Sequence, residues 1–169
     1  MSIPPLPDET ENISFLNVSY RIRLSDDLLP NTVTSVLDIQ PTFSFSRGDK
    51  YLSKTRNPET KVITDVWLER PLSIWRIDTK NMDLPRTVED HILYLLSILE
   101  PKRDNLVSYL EKCTGSFYVE QKTIYPDASE VSSEILGRMS KLCHFVQFFS
   151  NVMGSQEEKS SLQQKDEPD

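Results

Sequence analysis

The chain has 169 residues, 37% apolar and 27% charged, with a net charge of −7 and two cysteines. A chain of this length buries about two-thirds of its unfolded surface without disulfides or metal, and its longest strictly apolar run, Ile92 to Leu96, is far below the roughly 18 residues of a membrane span. The acidity does not mark a basic partner, because residues 1–12 and 154–169 each carry −3 and leave −1 for residues 13–153.

From the N-terminus, residues 1–12 combine three prolines with three acids and no base, the composition of a flexible lead-in with no export signal. Leu16, Val18, Tyr20, Ile22 and Leu24 then alternate with Asn17, Ser19, Arg21 and Arg23. This period-two pattern predicts a strand with one buried and one wet face, the arginines on the wet one. Ser25 to Leu29 forms a short acidic loop, and Pro30 suits the first position of a helix that buries Val33, Val36 and Leu37 before Gln40-Pro41 stops it. Phe43 and Phe45 mark a second strand closed by a turn at Arg47-Gly48-Asp49.

Lys50 to Lys61 reads as a long, locally basic, polar loop. Two strands follow, Lys61 to Leu68 and Leu72 to Ile77, broken at Pro71, and Trp67 and Trp75 are expected in the core or along its rim. Thr87 caps the strongest helix, with Asp90 three residues on and Val88, Ile92, Leu95, Leu96 and Leu99 on one stripe up to Pro101. A shorter helix over Lys102 to Lys112 stops at Thr114-Gly115, a strand runs from Ser116 to Tyr125 and closes at Pro126-Asp127, and Ser132 caps a helix reaching Leu142. His144 to Phe149 is read as a last strand, and residues 154–169 as a disordered acidic tail. The expected fold is α+β: one domain over 13–153, with a mixed, mostly antiparallel sheet and helices packed on one face, a ferredoxin-like βαββαβ plan with additions.

Chemistry is sparse along this chain. Its four glycines form no phosphate-cradling motif, its histidines and cysteines lack metal-ligand spacing, and no cofactor is expected. His91 lies beside the apolar helix stripe and reads as a satisfied histidine at the core edge. Cys143 and His144 are adjacent, so in a strand they point to opposite faces and form no dyad. Asp26 and Asp27 at a helix entrance read first as capping and dipole partners, with acid–base or cation-binding work as the alternative. The 47–61 segment offers a weak nucleic-acid reading, opposed by the neutral body and acidic ends. The isolated cysteines fit a reducing compartment, and the expected location is cytoplasmic.

Val18 to Pro30 (VSYRIRLSDDLLP), the following VTSVLDIQPTFSFSRGD, the strand LSIWRID and the helix TVEDHILYLLSILEP together resemble an uncharacterised, mainly bacterial family, domain of unknown function forty-two seventy-nine. The resemblance covers about Val18 to Phe149, with departures at Ser25 and in a longer Lys50–Leu68 segment. It implies strand–helix alternation with a closing strand and brings no catalytic residues. The leading functional expectation is a small non-enzymatic binding protein, of the immunity or accessory kind, that presents a sheet face or loop to a protein partner. Its candidate interaction residues are Arg21, Arg23, Asp26, Asp27 and Trp75. The alternatives are an enzyme or ligand-binding domain using Asp26 and Asp27 in a pocket, and nucleic-acid binding through the 47–61 loop.

Overall fold

The structure, a computed structural model, describes residues 13–123 and 130–152; the proline-rich lead, the turn at Pro126-Asp127 and the acidic tail lie outside them. Strand β1, Ile13–Leu24, is the centre of a five-stranded sheet. Its alternation works as the sequence predicts: Val18, Tyr20, Ile22 and Leu24 are all buried in the core. Helix α1, Pro30–Leu37, starts on its proline and has no side-chain cap. It buries Pro30, Val33 and Leu37, whereas Val36, expected inside, is exposed. The buried stripe thus follows i, i+3, i+7 rather than i, i+3, i+4.

Strand β2 is short, Phe43–Phe45, and Gly48 at φ 84° makes the turn after it. The segment expected to be a loop is instead half of a hairpin. Strand β3, Lys50–Arg56, pairs antiparallel with β4, Ile63–Glu69, setting Lys50 opposite Glu69 and Lys54 opposite Asp65. Opposite charges facing each other across a ladder favour the register. Asn57 closes the hairpin, its Oδ1 accepting the N–H groups of Glu59 and Thr60 at 2.8 and 3.0 Å. These two strands form a sheet of their own, and Trp67 is 67% exposed on it. The core position expected for it is corrected.

Strand β5, Ser73–Asp78, lies between β2 and β1 and pairs antiparallel with both. Helix α2, Val88–Leu99, is capped by Thr87, whose hydroxyl oxygen accepts the Asp90 N–H. Pro101 falls in a single 3-10 turn, Glu100–Lys102, that leads into α3, Arg103–Leu110. Strand β6, Thr114–Thr123, pairs antiparallel with the other side of β1; Thr114 and Gly115, expected to end a helix, belong to this strand. Helix α4, Ser133–Met139, is capped by Ser132, and β7, Phe145–Val152, closes the sheet parallel to β6. A parallel pair requires a crossover, and α4 lies in it.

The sheet order is β2-β5-β1-β6-β7, a mixed sheet with an antiparallel majority, as expected. With the hairpin, α3 and the α4-β7 unit set aside as additions, the element order β1-α1-β2-β5-α2-β6 follows the expected βαββαβ sequence. The core lies between the helices and one sheet face, where Trp75 is fully buried and donates its indole N–H to Thr34 Oγ1 at 3.1 Å. No helix among the described residues is long and apolar enough to cross a membrane.

Candidate functional site: an arginine and aromatic face of the sheet

Residues opposite one another in a ladder share a face, so the register lays out the other side of the sheet row by row. One row runs across all five strands as Phe43, Arg76, Arg21, Ser116 and Phe145. The next is Phe45, Ile74, Arg23 and Thr114, and on the other side Asp78, Ser19, Tyr118 and Gln147 stand in line. Apart from Ser19 and Asp78, the residues of these rows floor a groove of about 590 Å³, which Arg70 and Pro71 from the β4–β5 link also line. The groove lining holds Arg21, Arg23, Arg70 and Arg76 and no acidic residue.

The cations are set against rings. Arg21 Cζ lies 4.2 Å from the Tyr118 centroid and Arg76 Cζ 4.9 Å from that of Phe43. Arg70 touches both Phe45 and Tyr51, at 4.3 and 3.8 Å, so the hairpin helps to place it. Further along the face, Tyr118 and Phe149 stack at 6.1 Å. A guanidinium over a ring gains cation–π attraction while its planar fork of N–H donors stays available to an oxygen acceptor. Arg76 also pairs with Asp78 at 3.0 Å. Among the described residues, Arg21, Arg23 and Arg70 have no carboxylate partner. Chemically, guanidinium groups in this arrangement can hold an anion, best a planar one that takes two N–H bonds at once.

Of the residues singled out from sequence, Arg21 and Arg23 are in this groove. Asp26 and Asp27 are not; they lie exposed in the β1–α1 loop. Neither caps α1, which has no side-chain cap and no acid in its first turn, so the capping reading is corrected. Asp26 instead pairs with Arg47 at 2.5 Å. Trp75 sits on the opposite, helix-covered face, and its full burial removes it from any contact surface. Phe43, Phe45, Arg70, Arg76, Tyr118 and Phe145 were missed. For Arg76 a signal existed, since it alternates with Trp75 and Ile77 as Arg21 does with Tyr20 and Ile22.

Outside the groove, His91, Cys143 and His144 make their contacts within the scaffold. His91 is buried, its Nδ1 lies 2.6 Å from Thr79 Oγ1, and Thr79 in turn holds both the N–H and the carbonyl of Val18. This is the satisfied core-edge histidine expected, and burial pushes its pKa down. Cys143 and His144 form no dyad: burial raises the Cys143 thiol above its ordinary range, while His144 Nδ1 accepts the Gly115 N–H at 3.2 Å.

Residues 15–149 match the family described as domain of unknown function DUF4279. The chain belongs to that family. No curated protein and no solved structure matches it. The match spans β1 to the middle of β7, so the whole groove floor lies within the DUF4279 domain.

Proposed function

We propose that this DUF4279 domain is a binding module whose open sheet face takes a carboxylate-rich segment of a protein partner, in the manner of an immunity or accessory protein. The observation that supports the reading is a groove with four arginines and no acid, each of Arg21, Arg70 and Arg76 laid against an aromatic ring. Arginine and aromatic side chains are the residues that most often dominate protein interfaces. A nucleic-acid reading is less favoured, because base stacking needs free ring faces and here guanidinium groups cover Tyr118, Phe43 and Phe45.

The test is a titration of a fluorescent poly-glutamate peptide, with single-stranded RNA of similar charge as the contrast. The peptide is expected to bind and to lose about tenfold or more in affinity on Arg21→Glu or Arg23→Glu. RNA binding that outcompetes the peptide, falls steeply with salt and is lost on Tyr118→Ala would overturn the protein reading in favour of nucleic acid.

A further inference from the structure

Strand β7 is an edge of the five-stranded sheet, and its sequence FVQFFSNV contains no charge and no proline. Phe145, Phe148 and Phe149 are 58%, 50% and 48% exposed, and the register puts Phe145 and Phe149 on the open face and Phe148 on the helix side. Exposed edges normally carry lysine, proline, a bulge or very short length, because every second residue turns unpaired N–H and C=O groups outward. The other edges here obey that rule: β2 has three residues, and the hairpin strands carry Lys50, Lys54, Arg56, Asp65 and Glu69. Among the edges of the described residues, strand β7 alone has no such device.

We propose that β7 is a self-pairing edge, at which two copies of this chain join antiparallel to form one continuous ten-stranded sheet. The occupant follows from the strand's own complementarity. A two-fold axis perpendicular to the sheet keeps the open faces of both copies on one side, so each residue meets one of its own parity. Centred on Gln147, the register sets Phe145 against Phe149 of the second copy, Val146 against its Phe148, and the two Gln147 amides against each other. Aromatic, apolar and amide pairs of this kind stabilise a ladder, and no like charges meet. The flanking segments compete poorly for an uncharged apolar edge: each carries −3, residues 1–12 contain Pro4, Pro5 and Pro7, and residues 154–169 have Leu162 as their only large apolar residue. The pairing stands on the edge strand and is independent of what the groove binds, although it would set the Phe145 and Gln147 rims of two grooves side by side.

Sedimentation equilibrium of the full chain over a wide concentration range tests it. The wild type is expected to be dimeric. Gln147→Lys and Gln147→Glu, at an exposed position, place like charges opposite each other across the axis and should each weaken dimerisation by about tenfold or more, while an equimolar mixture of the two restores the dimer. Near-ultraviolet circular dichroism from buried Trp75 reports that both variants are folded. A wild type that stays monomeric, or that dimerises only when residues 154–169 are removed, overturns the proposal. So do folded Gln147 variants that dimerise as the wild type does, or a mixture that fails to restore the dimer.

Discussion

Gly115 shows how closely one residue binds two layers of this molecule. It lies in β6 opposite Ile22, where a Cβ would fall 2.5 Å from the Tyr20 hydroxyl and 2.6 Å from Leu110 Cδ2. Tyr20 is fully buried and donates its hydroxyl proton to the Leu142 carbonyl at 2.6 Å; burial drives its pKa well above the ordinary range. The close approach of the strand backbone therefore protects a hydrogen bond between the central strand and the end of the α4 segment. Gly115→Ala is expected to push Tyr20 and Leu110 apart and to cost about 1–3 kcal/mol, the usual penalty of overpacking a tight site. Chemical denaturation measures it, and an unchanged midpoint would refute the account. In sequence this glycine reads as a helix stop. Its real reason, a neighbour 95 positions away in the chain, has no local signature.

At the scale of elements, the β3–β4 hairpin stands apart from the sheet, and a two-stranded hairpin is marginal in water by itself. It is anchored at its base, where Gly48 donates its N–H to the Arg70 carbonyl and Arg70 donates to that of Asp49, both at 2.9 Å. Its exposure divides the two tryptophans, Trp67 in solvent and Trp75 in the core. Trp67→Phe should leave a blue-shifted emission that acrylamide barely quenches, with the thermal midpoint little changed, since surface substitutions usually act within about 0.5 kcal/mol. Strong residual quenching would place Trp75 in solvent and contradict the core described. Local pattern did foretell β1, the Thr87 cap of α2 and the Ser132 cap of α4, because alternation and capping act over a few residues. It misread Lys50 to Lys61, because cross-strand charge pairs and the Asn57 turn stabilise a strand there that has little apolar content of its own.

For the molecule as a whole, acid acts on two groups whose pKa values the fold lowers, His91 and Glu100. His91 has its pKa lowered from 6.5, first by burial, so the unfolded chain binds the proton more readily. Stability from this group is present above the unfolded value and is lost as pH falls below about 6.5. Glu100 has its pKa lowered from 4.5, first by its hydrogen bonds from Arg138. That carboxylate is held in a two-pronged contact at 2.8 and 2.7 Å which ties the end of α2 to α4, and its contribution fades as pH falls through and below 4.5. The thermal midpoint is therefore expected to fall from pH 7 to pH 5, and His91→Gln should flatten that part of the profile while leaving the decline below it. An equally steep fall in the variant would assign the effect to other groups.

The sequence by itself determined the α+β class, the family, most element boundaries and the wet face that carries Arg21 and Arg23, because periodicity, caps and proline positions act over one or two turns of chain. Only the tertiary structure decided that Arg76 comes beside Arg21 from one neighbouring strand and Ser116 from the other, that Phe43 and Phe145 end the same row, and that one tryptophan is core while the other is solvent-exposed. Those facts depend on the order β2-β5-β1-β6-β7, in which β1 pairs with strands drawn from distant parts of the chain. Local preference cannot encode such a row, since each residue in it satisfies its own strand equally well whichever strand lies alongside.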